Sequence, residues 1–241
     1  MSSFYMVSPS IQFIKPFLKL SGILLLGLSI YLAQLQIDRS KNINQEMKGF
    51  LHLPKGEYLK VAALGYDQLL ADLLWLRVIQ MIGEHTVTET AYEWVYHALD
   101  VMTTLDPKFV DAYQMGGVTL STLANQPEKA NALLLKGAKE NPDVWQLPFY
   151  IGFNDFFYLN DYKSAAKNMA RAAQLPGRPD FVPGLATRLF VQAGEPQTAL
   201  EFLARMAGEA KDEKVREALR RRMEEILAGE VKGIFPKPKR E

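Results

Sequence analysis

The sequence predicts an all-α protein: helical hairpins stacked into a solenoid, preceded by one N-terminal membrane helix. Three observations carry this. Ala130, Ala165 and Ala199 recur 35 and 34 residues apart, in register, in the segments 105–140, 141–175 and 176–210. Asp106-Pro107 and Asn141-Pro142 stand where one helix pair stops and the next begins, a place suited to proline because it cannot continue a helix. Leu20 to Ile37, finally, runs eighteen residues without a charge.

At 1.5 Å per residue that run is roughly 27 Å long, close to the ~30 Å hydrocarbon thickness of a bilayer. Tyr31 lies where a signal-peptidase site would need a small residue, so an uncleaved anchor is favoured over a cleaved signal or a buried core helix. Residues 1–19 then form the cytoplasmic-side tail and 20–37 the span. Arg39, Lys41, Lys48 and Lys55 outnumber Lys15 and Lys19 under the positive-inside rule, whereas the basic, acid-free N-terminus favours export of the C-terminal domain. The preferred placement is a single pass in a bacterial inner membrane with residues 38–241 on the periplasmic side. Residues 38–60 are polar and hold Gly49, Pro54 and Gly56, as in a spacer.

In the repeated segments small residues such as Gly117, Gly152, Ala130 and Ala165 let paired helices approach closely, and each pair can bury its apolar face only against its neighbours. The period, the Asx-Pro turns and the placement of Gly152, Tyr162, Ala165, Met169 and Ala172 make these segments similar to tetratricopeptide repeats. Gly137 stands where the family has alanine, and Leu189 where it has a small residue. The register extends back through Tyr92, Val95, Leu99 and Met102, so 64–105 reads as a degenerate first unit and 61–210 as the repeat body. Downstream, Val215, Leu219, Met223 and Ile226 form one stripe in a capping helix over 211–229. Residues 230–241 form a basic tail.

The resemblance implies that the first helix of each unit lines a concave groove. On that count the middle unit offers Gln146, Phe149, Phe153 and Phe156, the first Asp111, Gln114, Val118 and Ser121, and the third Ala186 and Phe190. Family members that clamp a terminal carboxylate use lysine, arginine and asparagine there, a set this chain lacks apart from nearby Asn154. An aromatic floor suits an apolar segment of another protein; alternatively these rings fill the core.

The segment GYDQLLADLLWLRVIQMIG (65–83) cannot span a membrane, since only four residues separate Asp72 from Arg77 and each charge would cost about 2.5–3.5 kcal/mol at a helix centre. As a solenoid helix it is unusual, because Leu69, Leu73 and Leu76 interrupt the polar arc of Gln68, Asp72, Arg77 and Gln80. Either the linker or anchor tail covers these leucines, or a partner does. Asp72 and Arg77, five residues apart, are poorly placed to pair within one helix, and Glu93 or Asp100 are candidate partners for Arg77.

The net charge is +1, distributed as +4 over 1–60, −6 over 61–210 and +3 over 211–241. An acidic body argues against nucleic-acid binding. The chain has no cysteine, and His52, His85 and His97 form no metal-ligand spacing. Glu93 and His97 share a helix face as an ordinary exposed pair. With no nucleophile, acid–base or phosphate-cradling motif, the expectation is a non-catalytic scaffold with no cofactor, metal or small-molecule substrate. Its partners would be proteins of an envelope, secretion or pilus-type assembly; the rival is a periplasmic holdase that shelters apolar segments.

Overall fold

The computed structural model describes residues 9–40, 53–83 and 89–231, and every regular element among them is an α-helix. The chain divides into two compact units, 1–49 and 50–241. The first contains α1 (Pro9–Ser40), which extends beyond the expected span at both ends and holds one stretch long and apolar enough to cross a membrane, Lys19–Gln36. From Leu20 to Leu32 its leucines and isoleucines are more than half exposed.

The second unit runs α2 (Gly56–Ala62), α3 (Asp67–Ile82), α4 (Glu89–Leu105), α5 (Val110–Thr122), α6 (Pro127–Glu140), α7 (Gln146–Phe157), α8 (Tyr162–Ala173), α9 (Phe181–Gln192), α10 (Pro196–Glu209) and α11 (Glu213–Leu227). From α3 onward each helix packs on the next in sequence, and α5 also touches α7.

The local chemistry explains the boundaries. Pro127 and Pro196 open α6 and α10 at positions whose N–H would have no helical acceptor. Asp161 and Asp212 cap α8 and α11, accepting from the backbone N–H of Ser164 and Lys214 at 2.9 and 2.8 Å. The same turn closes α5–α6, α7–α8 and α9–α10. A left-handed residue, Asn125, Asn160 or Gly194 (φ 51°, 55° and 78°), is followed by an N–H that reaches back six residues in the first two turns, Gln126 to Leu120 and Asp161 to Asp155, and five in the third, Glu195 to Phe190, each at 2.8 Å. These turns share the spacing of the three register alanines, all of which are fully buried.

Two apolar clusters form the core. One spans Ala71 to Ile151 and the other Ala165 to Ile226, and α7 lies between, contributing Leu147 and Ile151 to the first and Phe149, Phe153 and Phe156 to the second. Gly137 departs from alanine for a visible reason: a Cβ there would stand 2.6 Å from the Tyr113 ring. Leu189, where a small residue was expected, is accommodated at full burial.

Two expectations need correction. The spacer does not extend to residue 60, because from Leu53 the chain is packed: Leu53 and Leu59 join the first cluster and α2 lies on α4. Gly56 is buried so close to Thr104 that a Cβ would meet its Cβ at 2.5 Å. Residues 41–52 of that spacer, and 232–241 of the tail, lie outside the described residues. On α11, Leu219, Met223 and Ile226 pack as expected, but Val215 is 47% exposed, since it sits on the first turn, before the helix settles against α10.

Candidate functional site

Three features of the second unit are neither ordinary core nor ordinary surface: an aromatic strip on α7, a buried polar joint beneath it, and a leucine face on α3.

The strip follows from helical geometry. Taking Gln146 as zero at about 100° per residue, Phe157, Phe153, Phe149 and Phe156 lie at about 20°, 340°, 300° and 280°, whereas buried Leu147, Asn154, Ile151 and Asp155 lie between about 80° and 180°. The aromatic side therefore faces away from the first cluster. Phe157 is 57% exposed and stacks on Phe153 (centroids 5.5 Å apart, planes at 10°) while meeting Tyr158 edge-on at 5.0 Å. Phe149 meets Trp145 at 5.6 Å and Phe181, at the start of α9, at 6.1 Å, both edge-on. Phe181 is itself 57% exposed. Such ring pairs are worth about 0.5–1.5 kcal/mol beyond their buried area, so each exposed ring is held by rings below it.

Gln146, Phe149 and Phe153 thus lie half-buried on the strip. Phe156 lies at its edge, turned toward Tyr162 of α8. Phe157, which the sequence reading placed with the core-filling rings and left out of the groove, is the exposed member; a step from 153 to 157 keeps to one helical line better than a step from 153 to 156. Phe190 is corrected: it is 4% exposed and packs on Phe202 at 6.1 Å, facing the core and not a groove. Ser121 and Ala186 are likewise buried. On α5, Asp111 is exposed and Gln114 and Val118 are half-buried, with Met115 beside them 44% exposed.

Beneath the strip, Asp155 is 4% exposed, and both carboxylate oxygens are occupied. Asn131 of α6 donates to Oδ1 at 2.7 Å, and Ser164 and Asn168 of α8 donate to Oδ2 at 2.6 and 3.0 Å. Asn154 donates to Asn131 Oδ1 at 3.0 Å, so the asparagine considered for a carboxylate clamp is internal. The network joins three helices where the two clusters meet, and its satisfied partners make it a structural joint.

On α3, Ala71, Leu74 and Val78 are buried, while Leu69, Leu73 and Leu76 on the opposite side are 54–58% exposed. Asp72 and Arg77 flank them, both exposed. The acids considered for Arg77 are engaged by lysines of α6. Lys129 bonds Glu93, and Lys136 bonds the Asp100 carboxylate at 2.7 Å and Thr104 Oγ1 at 2.8 Å. Through its hydrogen bond Lys129 holds the Glu93 carboxyl below its usual range. His97 is not part of an exposed pair with Glu93: it is half-buried, and Nε2 donates to the Leu53 carbonyl at 2.9 Å. Among the described residues no three potential metal ligands converge.

No protein-family model, curated protein or solved structure matches this chain.

Proposed function

We propose that the chain is a membrane-tethered, tetratricopeptide-like scaffold whose α7 strip holds an apolar segment of another envelope protein. The observation that carries this is the pair of exposed rings, Phe157 and Phe181, supported from beneath by Phe153 and Phe149. A preformed aromatic ledge binds apolar side chains without first having to be ordered. α1 supplies the tether, and the second unit lies on the exported side of a bacterial inner membrane.

The solenoid reading draws support from the spacing of the polar links between hairpins. Lys129–Glu93, Lys136–Asp100, Asn141–Pro107, Arg171–Ala138 and Lys163–Glu195 all join residues 32 to 36 apart, about one unit.

The test is a photoreactive phenylalanine analogue at position 157 of the full chain in intact membranes. One cross-linked species, lost in a Phe153→Ser chain that still folds, supports a dedicated partner. A broad smear of species replaces the scaffold with the holdase. No adduct from a folded, membrane-bound chain rejects the strip as a binding site.

A further inference from the structure

Among the described residues the hairpin turn occurs a fourth time, after α11. Asn125, Asn160, Gly194 and Gly229 (φ 73° at Gly229) are all left-handed and stand 35, 34 and 35 residues apart. The Glu230 N–H reaches back to the Glu225 carbonyl at 2.9 Å, as that of Glu195 does to Phe190. α11 therefore has the place of a first helix in a further unit, and it packs on α10 as α7 packs on α6 and α9 on α8. In the earlier units a second helix begins two residues after the left-handed one, at Pro127, Tyr162 and Pro196. Here that position is Val231, and the sequence after it, KGIFPKPKRE, holds Gly233, Pro236 and Pro238, residues that do not continue a helix.

The place of that second helix is open. A second helix lies on its own first helix and beside the second helix before it, as the links Lys136–Asp100 and Lys163–Glu195 show. Between α10 and α11 this place is a channel of two adjoining hollows, about 450 and 420 Å³, that share Ala204, Arg220 and Met223. Leu200 and Leu227 line one end and Gly208 the other. Ala204 is exposed, whereas Ala170, one unit earlier on α8, is 8% exposed. From Gln197 to Gly208 the channel is roughly 16 Å long at 1.5 Å per residue, which is three helical turns.

We infer that this channel receives a helix supplied by another protein, which completes the unit in trans. The helix runs antiparallel to α11 and in the direction of α10, as successive second helices do. Charge agrees with that direction. Its N-terminal half lies between Glu201 and Glu224, and its C-terminal half passes Arg220 to end at Arg216, so both ends complement the helix dipole. Glu213 bonds Arg216 and lies 4.0 Å from Arg220, which leaves the two arginines with positive charge in excess. The face that enters is apolar, with residues three and four apart to meet Leu200, Ala204, Met223 and Leu227. A second copy of this chain does not fit. Entering by α11 it would put Arg216 and Arg220 where the apolar stripe belongs, and α3 laid in the same direction would bring Asp72 toward Glu201 and Glu224.

The test places a photoreactive phenylalanine analogue at Gln197 or Gly208, the exposed ends of the channel, in the full chain in cells, with exposed Lys139 at the end of α6 as reference. A Cβ added at Gly208 meets no atom within 4 Å. Both positions should join one segment of one other protein, and the reference should not. Mass spectrometry should place the Gln197 adduct in the first turn of that segment and the Gly208 adduct in its last, about eleven residues on, with apolar residues three and four apart between them. Leu227→Asp, at a position 73% exposed, should lower both yields several-fold while the circular dichroism stays unchanged. Six results overturn the inference: no adduct, adducts to residues 232–241 of the same chain, adducts to a second copy, adducts scattered over many proteins, one segment with its ends reversed, and yields indifferent to Leu227→Asp. The strip is reported separately by the probe at position 157, so a partner found there and none at 197 or 208 removes the channel alone.

Discussion

The two apolar clusters reach close packing by opposite means. In the first, large side chains fill spaces left by glycine: Leu133 and Leu99 crowd Gly116, Leu134 crowds Gly117, and the Tyr113 ring lies over Gly137. The second is a field of alanines, 165, 166, 170, 172, 173, 186 and 199, around a few large residues such as Met169, Leu189 and Phe202. Both keep helix axes close enough to interdigitate. The first should therefore be sensitive where a hole is filled, and the second where one of its few large side chains is removed.

The largest effect is expected in the second cluster. Phe202→Ala should cost about 3–5 kcal/mol in urea denaturation, since neighbouring alanines cannot extend into the cavity. Asp155→Ala should cost about 2–3 kcal/mol by leaving Asn131, Ser164 and Asn168 without their acceptor. Because that joint lies between the clusters, fluorescence and circular dichroism transitions that coincide in the parent should separate in the variant.

A pH experiment probes the first cluster alone. Burial pushes the Tyr113 hydroxyl up to about 12, although it also donates to the Thr103 carbonyl at 3.3 Å. The folded state thus disfavours the phenolate. Stability is fully present below the unfolded value near 10 and falls as pH rises through 12, by about 2–3 kcal/mol. Tyr113→Phe should flatten that decline when denaturation midpoints are followed between pH 9 and 12. Smallest is Gly137→Ala, which should cost about 1–3 kcal/mol by overpacking. Adding Tyr113→Leu should recover part of the loss; no recovery would mean that the Gly137 site is not shaped by the ring.

Much of this fold was legible in the sequence because repetition is periodic. The register alanines, the Asx-Pro turns and the 3.6-residue stripes are local patterns, and, Val215 apart, each survives in the structure. The turn residues Asn125, Asn160 and Gly194 repeat as plainly, five residues before each alanine, and their left-handed backbone was a signal that could have been used. The site was less legible. Asp155 collects partners 24, 9 and 13 residues away on two other helices, and no local pattern foretells such a convergence. Phe156 and Phe157 are adjacent in sequence, and only the placement of α8 decides which of the two rings it covers. Phe190 looked like a groove residue because position within a unit was counted without Phe202, which packs against it.

The turn that recurs three times has a consequence for how the chain comes to fold. Each copy closes on residues no more than six positions away, and each polar link between hairpins is satisfied once the next unit has been made. A polypeptide emerging in sequence order therefore never has to wait for its far end. Low contact order of this kind favours rapid folding, and it shortens the time during which the leucines of α3 and the rings of α7 are presented on an unfinished surface.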